Sequence, residues 1–442
     1  MLKNKVIIRL ITIIFIITAV SFSNGYSQKE SINREKMMEV IDTCIQAFHT
    51  YYVYPEVVVD IEKYIRTNID KGEYNSITNF KNLTRQLIKD FRHVTNDRHI
   101  WIDIMKNIPV KNVENSKEKE IAEKKIKNFG FVKFELLEEN IAYLRIDGFN
   151  DLEYAKETAT SAMNMLGNSN SIILDLRFNH GGNKNMVQFI SSYFFKEKKQ
   201  TNSLYFREAD SLVTGWTFAD VPGKKLLDQK VYILTGKSTA SGAESFAYTM
   251  KNYKRAVIIG ENTAGAAHWT ECYKYPRLDI FLNIPVARPI NPVTKKGWER
   301  VGVIPDIEIL ENKALDVAYI TALKDIEQEC TNKKEKENLL WFIRLTELKH
   351  GTSINKNNDL TEYTGQYSNG RLSFIYKDEK LFWKDADNEY VLMPLSNDAF
   401  VFDDTENYIL QFLRNEENKI YAMQYFNKNS KENPVYKKTG SK

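Results

Sequence analysis

Apolar residues recur along this chain in two rhythms, and the rhythm changes three times. Between Glu30 and His49 they fall at Met37, Val40, Ile41, Cys44, Ile45 and Phe48, a spacing of three and four that predicts an amphipathic helix. Tyr51-Tyr52-Val53-Tyr54-Pro55 interrupts it, and helical spacing resumes over Val57–Ile69 and Phe80–Phe91. Residues 28–128 therefore read as a helical region, with one short strand at Ile100–Ile104. Lys111–Lys127 is a dense charge run, expected as a solvated linker or the outer face of a helix.

From Phe131 short apolar runs alternate with helical periods. Ile141–Ile146, Ser171–Leu176, Val231–Leu234 and Ala256–Gly260 read as strands. Ala155–Leu166, Met186–Phe195 and the segment after Ser241 read as helices. Strand-helix alternation over residues 129–312 predicts an α/β core. A helical connector is expected over 313–350, with Ala314–Leu348 as its body, and Gly351–Asp359 is polar and linker-like. Seven or so short alternating runs over 355–442, from Tyr363–Tyr367 to Ile420–Met423, predict a small antiparallel β-domain, a barrel or a sandwich.

The first residues change the compartment. Lys3 and Lys5 precede an apolar run from Leu10 to Phe22, and small polar residues follow up to Gln28. That order predicts a signal peptide over 1–27, hence an exported protein, periplasmic or extracellular. The run is short for a membrane span, so no stable span is expected after cleavage. The chain has 3 cysteines and 6 histidines, all dispersed, which is neither a disulfide framework nor a zinc pattern. A net charge of +4 over 442 residues argues against a nucleic-acid surface.

The candidate chemistry centres on Ser241, in Thr239-Ala240-Ser241-Gly242-Ala243-Glu244, between a buried strand and a helix. Helix N-termini carry free N–H groups and partial positive charge, which would stabilise an oxyanion formed there. The same residues also suit a plain structural role, since Ser241 and Glu244 have the spacing of a capping box. Three further stretches join them in order: Asp175-Leu176-Arg177-Phe178-Asn179-His180-Gly181-Gly182, Gly260-Glu261-Asn262-Thr263-Ala264-Gly265, and Glu299-Arg300-Val301-Gly302-Val303-Ile304-Pro305-Asp306.

As an ordered set, these stretches resemble the S41 serine peptidases, the C-terminal processing or tail-specific proteases, from about residue 96 to 310. The resemblance implies a ClpP/crotonase-like core and Ser241 as nucleophile. One branch of that family uses a lysine where this chain has Ala266. The chain is more similar to the branch of the tricorn core and the interphotoreceptor retinoid-binding repeats. That similarity implies His99 as general base and Glu299 as the residue that fixes its tautomer. It also implies the N–H of Gly242, with Gly181 or Gly182, as oxyanion hole, and Glu244 and Thr263 as loop supports. Arg98 stands where some members place a serine, and His180 and His268 remain rival bases. The function implied is an exported serine peptidase acting on peptides or proteins through an acyl-enzyme. It needs no metal and no cofactor. A non-proteolytic protein binding an apolar ligand or peptide on the same fold is the alternative, because fold does not fix function.

Overall fold

The computed structural model describes residues 31–105, 113–351, 359–385, 388–430 and 432–439. The expected signal peptide and most of the linker at 351–359 lie outside the described residues. Among the described residues, no helix is long and apolar enough to cross a membrane.

Among the described residues three helices come first: α1 (Arg34–Tyr51), α2 (Pro55–Asp70) and α3 (Phe80–Thr95). Asn33 and Asn79 cap α1 and α3 by accepting the N–H of Lys36 and Asn82. Pro55 opens α2, where its missing N–H costs nothing. Asn96, left-handed at φ 52°, ends α3 and reverses the chain into β1 (Trp101–Ile104). The charge run contains α4 (Val113–Ile126).

The α/β core follows. Its strands are β2 (Phe131–Leu137), β3 (Ile141–Ile146), β4 (Ser171–Asp175), β7 (Lys230–Thr235), β8 (Val257–Gly260) and β11 (Ile307–Glu308). They form one sheet in the order β11-β8-β7-β4-β3-β2, parallel except for β2. On one face lie α5 (Leu152–Met165), α6 (Lys184–Ser192) and α7 (Gly242–Asn252), packed through Ala159, Met186 and Phe246. The other face is covered by α8 (Ala314–Glu329), through Ala318 and Ala322. Burial on both faces explains why Ile172-Ile173-Leu174 reads as an unbroken apolar run.

A second sheet accompanies this core, and the hydrophobic pattern did not announce it. It has β10 (Ile280–Ile290) at its centre, flanked by β1, β5 (Ser203–Phe206), β6 (Ser211–Val213) and β9 (Trp269–Tyr275). Pro285 and Pro289 inside β10 argue against a strand on sequence grounds. The structure accommodates Pro285 at a register shift against β9. Ile280, Leu282 and Ile284 of β10 share a core with Val40, Ile61, Leu87 and Phe91 of the N-terminal helices. The helical region is thus anchored by strands that lie far downstream in the sequence.

After α8, Cys330-Thr331-Asn332 breaks the helical connector before α9 (Lys333–Gly351). The C-terminal domain is an eight-stranded meander: β12 (Gly365–Tyr367), β13 (Leu372–Lys377), β14 (Lys380–Asp385), β15 (Asn388–Pro394), β16 (Ala399–Phe402), β17 (Thr405–Arg414), β18 (Ile420–Asn427) and β19 (Val435–Lys437). It closes on itself, because Ser368 N–H donates to the Lys437 carbonyl at 3.0 Å and Thr439 N–H to that of Gln366 at 2.7 Å. Of the two forms expected for this segment, the barrel is the one present. Its interior is aromatic: the Phe412 ring lies 5.1 Å from Phe374 and 5.6 Å from Phe400.

Candidate active site

Ser241 stands at the tip of the turn between β7 and α7, with φ 53° and ψ −116°. A helix-capping serine has extended backbone. This one is held in a region that costs a non-glycine residue about 1–3 kcal/mol, strain typical of functional sites. The turn is held by Glu244, whose side chain is fully buried. Its Oε2 accepts the N–H of Ser241 and of Ala266, each at 2.9 Å, and its Oε1 accepts the Gly265 N–H at 2.7 Å. Thr263 donates its hydroxyl to the same Oε1 and accepts the Val303 N–H. Burial pushes the Glu244 carboxyl up, against the pull of the donors from Thr263, Ala266, Gly265 and Ser241. Both residues expected as loop supports therefore lie under the serine.

The glycine loop meets this turn edge to edge. A Cβ on Gly181 would stand 2.6 Å from Gly242 N and 2.8 Å from Ser241 Cβ, so only glycine fits. Gly181 N–H already donates to Asn179 Oδ1 at 2.8 Å. Among the described residues, no acceptor is found for the N–H of Gly182 or Gly242. A Cβ on Gly242 would lie 3.1 Å from Gly182 N, which places these two free donors side by side. Beside them opens a cavity of about 230 Å³, walled in part by Ser241, Gly182, Val187, His268, Trp269 and Trp298.

Imidazoles and carboxylates gather across the site. Asp97 is wholly buried in the turn between α3 and β1. Its Oδ1 accepts the His99 N–H at 3.0 Å and lies 3.1 Å from His99 Nδ1. Its Oδ2 lies 2.7 Å from His268 Nδ1 and accepts the Tyr52 hydroxyl at 3.3 Å. Burial alone would raise the Asp97 carboxyl, but the bonds from His268 and His99 outweigh it and hold the group far below the usual carboxylate range. Burial lowers His99, while its bond to Asp97 and the charges of Asp97, Glu299 and Glu244 raise it, and the net direction is up. With the Nδ1 proton donated to Asp97, Nε2 of His99 carries the lone pair that a general base needs.

Glu299 sits in the turn between β10 and β11. Its Oε2 accepts the N–H of Ala267 at 2.7 Å and of His268 at 3.1 Å. The side chain bonded to His99 Nδ1 is Asp97, not Glu299, which acts on His99 through its charge. Two backbone donors claim Glu299 Oε2, whereas the sequence reading gave Glu299 the role of fixing the His99 tautomer. Asp97 is the residue that reading missed. Its signal was present in Asn96-Asp97-Arg98-His99, an acid two positions before the histidine. His180 lies apart: it is exposed, its Nδ1 donates to the Ser238 carbonyl at 3.0 Å, and it lines a groove with Lys124 and Phe178. His268 joins the cluster. Donor atoms of Asp97, His99, His268 and Glu299 lie within 4.8 Å of one another, a set whose types could hold a cation. The Asp97 oxygens and both Nδ1 atoms are, however, committed to each other.

The chain is similar to known proteins over the same residues. Residues 140–309 match peptidase family S41, and residues 32–130 match the N-terminal domain of Peptidase_S41 in eukaryotic IRBP. A carboxyl-terminal-processing protease of Synechocystis sp. is 24% identical over 193 residues, covering 43% of this chain and 43% of that protein. The chain thus spans less than half the length of that curated relative. The crystal structure of a candidate peptidase from Parabacteroides merdae is 16% identical with a TM-score of 0.50, over 65% of this chain and 96% of that one. A candidate S41 protease from Bacteroides fragilis is 24% identical with a TM-score of 0.36, over 42% of this chain and 52% of that one.

Proposed function

The chain belongs to peptidase family S41, and we propose that it is an exported serine-type peptidase that cleaves peptide bonds through an acyl-enzyme. The observation that carries this reading is the strained Ser241, set beside two unclaimed N–H groups. A cap needs neither feature. An acyl-transfer nucleophile uses the donors to hold its oxyanion, and a sharp turn presents its hydroxyl.

In this reading a peptide carbonyl lies over Ser241 with its oxygen toward Gly182 and Gly242. His99 Nε2 takes the hydroxyl proton as Oγ attacks, and the carbonyl electrons move onto oxygen. The two N–H groups hold that oxyanion, each worth roughly 10²–10³ in rate. The C–N bond then breaks, and the imidazolium returns its proton to the departing amine. Water attacks the ester by the same route in reverse. Asp97 keeps the His99 ring in its tautomer and stabilises the imidazolium, and Glu299 adds negative charge behind it. Export would expose the site to peptides outside the cytoplasm.

The test is a fluorophosphonate probe on the full chain, with the labelled peptide located by mass spectrometry. Label on Ser241 is expected. A folded protein that takes none favours a binding protein on the same fold.

A further inference from the structure

The loop after β8 carries a residue that this mechanism leaves idle. At position 266 the loop offers only a methyl group, but two residues on it presents His268, whose side chain has no exposure to solvent. His268 Nδ1 is 2.7 Å from Asp97 Oδ2 and 3.7 Å from Glu299 Oε2. Its ring lies 5.5 Å from that of Tyr54 and 6.2 Å from that of His99. One imidazole therefore stands between two carboxylates that are far apart in the sequence. The far ring nitrogen fixes the tautomer. Nε2 is out of water with no partner, and an N–H there would be an orphaned buried donor. The proton belongs on Nδ1, where Asp97 accepts it.

Building on Ser241 and His99 as nucleophile and base, we propose that His268 is a positioning residue that shares the Asp97 carboxylate with His99 and so sets how firmly Asp97 holds the base. Asp97 gives Oδ1 to His99 and Oδ2 to His268 and Tyr52. A carboxylate that spends charge on one donor has less for another. Removing His268 leaves Oδ2 with only the longer bond from the Tyr52 hydroxyl at 3.3 Å, and strengthens the carboxylate's hold on the His99 proton. The titratable groups facing His99 are Asp97 on its own turn, His268 before β9, Glu299 before β11 and Glu244 on α7. Tyr52 faces Asp97. Only His268 changes in the test.

The test compares wild type, His268→Ala and His268→Asn as full-length proteins. The His99 titration is followed by NMR on histidine-labelled protein, assigned by its loss in His99→Gln, and the rate of fluorophosphonate labelling is measured against pH. His268→Ala is expected to raise the His99 midpoint and slow labelling about 10–100-fold, the scale of a misplaced base. His268→Asn, whose amide N–H can replace Nδ1–H on Asp97, is expected to return the midpoint and most of the rate. A midpoint that is unmoved or lowered in His268→Ala overturns the proposal, whatever the rate. So does a folded His268→Asn that matches His268→Ala. If His268→Ala does not fold, His268→Gln, whose amide sits at the wrong reach, takes its place with the same criteria. A wild type that takes no label while the midpoint still moves leaves the shared carboxylate standing and removes the peptidase reading instead.

Discussion

The two sides of the cleft are built in opposite ways. The serine side is local: β7, the turn at Ser241 and α7 are consecutive, and the glycine loop joins them from the neighbouring strand β4 of the same sheet. The imidazole side is assembled from three distant segments, at Asp97 and His99, at His268, and at Glu299. On the first side, geometry is imposed by the backbone and stored as strain. On the second it is held by side-chain hydrogen bonds that converge on one buried carboxylate. The first side should therefore resist change in an all-or-none manner, while the second should be tunable.

Substitutions can break that contrast. Ser241→Ala should show the largest loss, abolishing labelling and lowering peptide hydrolysis by roughly 10⁴–10⁶, while circular dichroism stays unchanged. His99→Ala should cost nearly as much and leave folding intact. Hydrolysis retained in that variant would move the base to His268. Asp97→Asn should cost about 10³–10⁴, on the scale of a triad carboxylate, and it should also move the pH profile. His99 acts as base only when neutral, and Asp97 raises its titration. Wild-type kcat/KM should therefore fall as pH drops through a point above the ordinary imidazole value of about 6.5. In Asp97→Asn that acid limb should shift downward, and a limb that stays put would separate Asp97 from the base.

A smaller effect would sharpen the strain argument. Ser241→Gly removes the nucleophile and relieves a φ of 53°, so it should raise thermal stability relative to Ser241→Ala by about 1 kcal/mol or more. Equal stability would mean the turn is not strained. Smallest for activity is Phe412→Ala, which opens the aromatic interior of the C-terminal barrel. It should destabilise that domain by about 3–5 kcal/mol and leave kcat/KM on a short peptide unchanged.

The same contrast explains what could be read from the sequence. The parallel strands were legible because burial on both faces makes them uniformly apolar. The serine turn was legible because its glycines and small residues are contiguous. The C-terminal antiparallel strands were legible from their alternation, but barrel and sandwich stayed open because closure depends on Thr439 meeting Gln366, which no local pattern encodes. The second sheet was hidden by Pro285 and Pro289 in β10. With it went the position of His268, which the register of β9 against β10 fixes. Asp97 was overlooked for a related reason. A carboxylate beside a histidine is ordinary in sequence, and only the fold shows it buried beneath two imidazoles and a tyrosine. Glu299 was found, but its preferred partners turned out to be backbone N–H groups of a loop whose path the sequence did not reveal.

The central claim is that Ser241, which also forms a capping box with Glu244, is a nucleophile. Its most direct measurement is fluorophosphonate labelling of the wild-type protein, with the modified residue located by mass spectrometry across pH 5–9. The account predicts a single adduct on Ser241, forming faster as pH rises through the His99 titration. A folded protein that remains unmodified over that whole range, or that carries the adduct elsewhere, would contradict it.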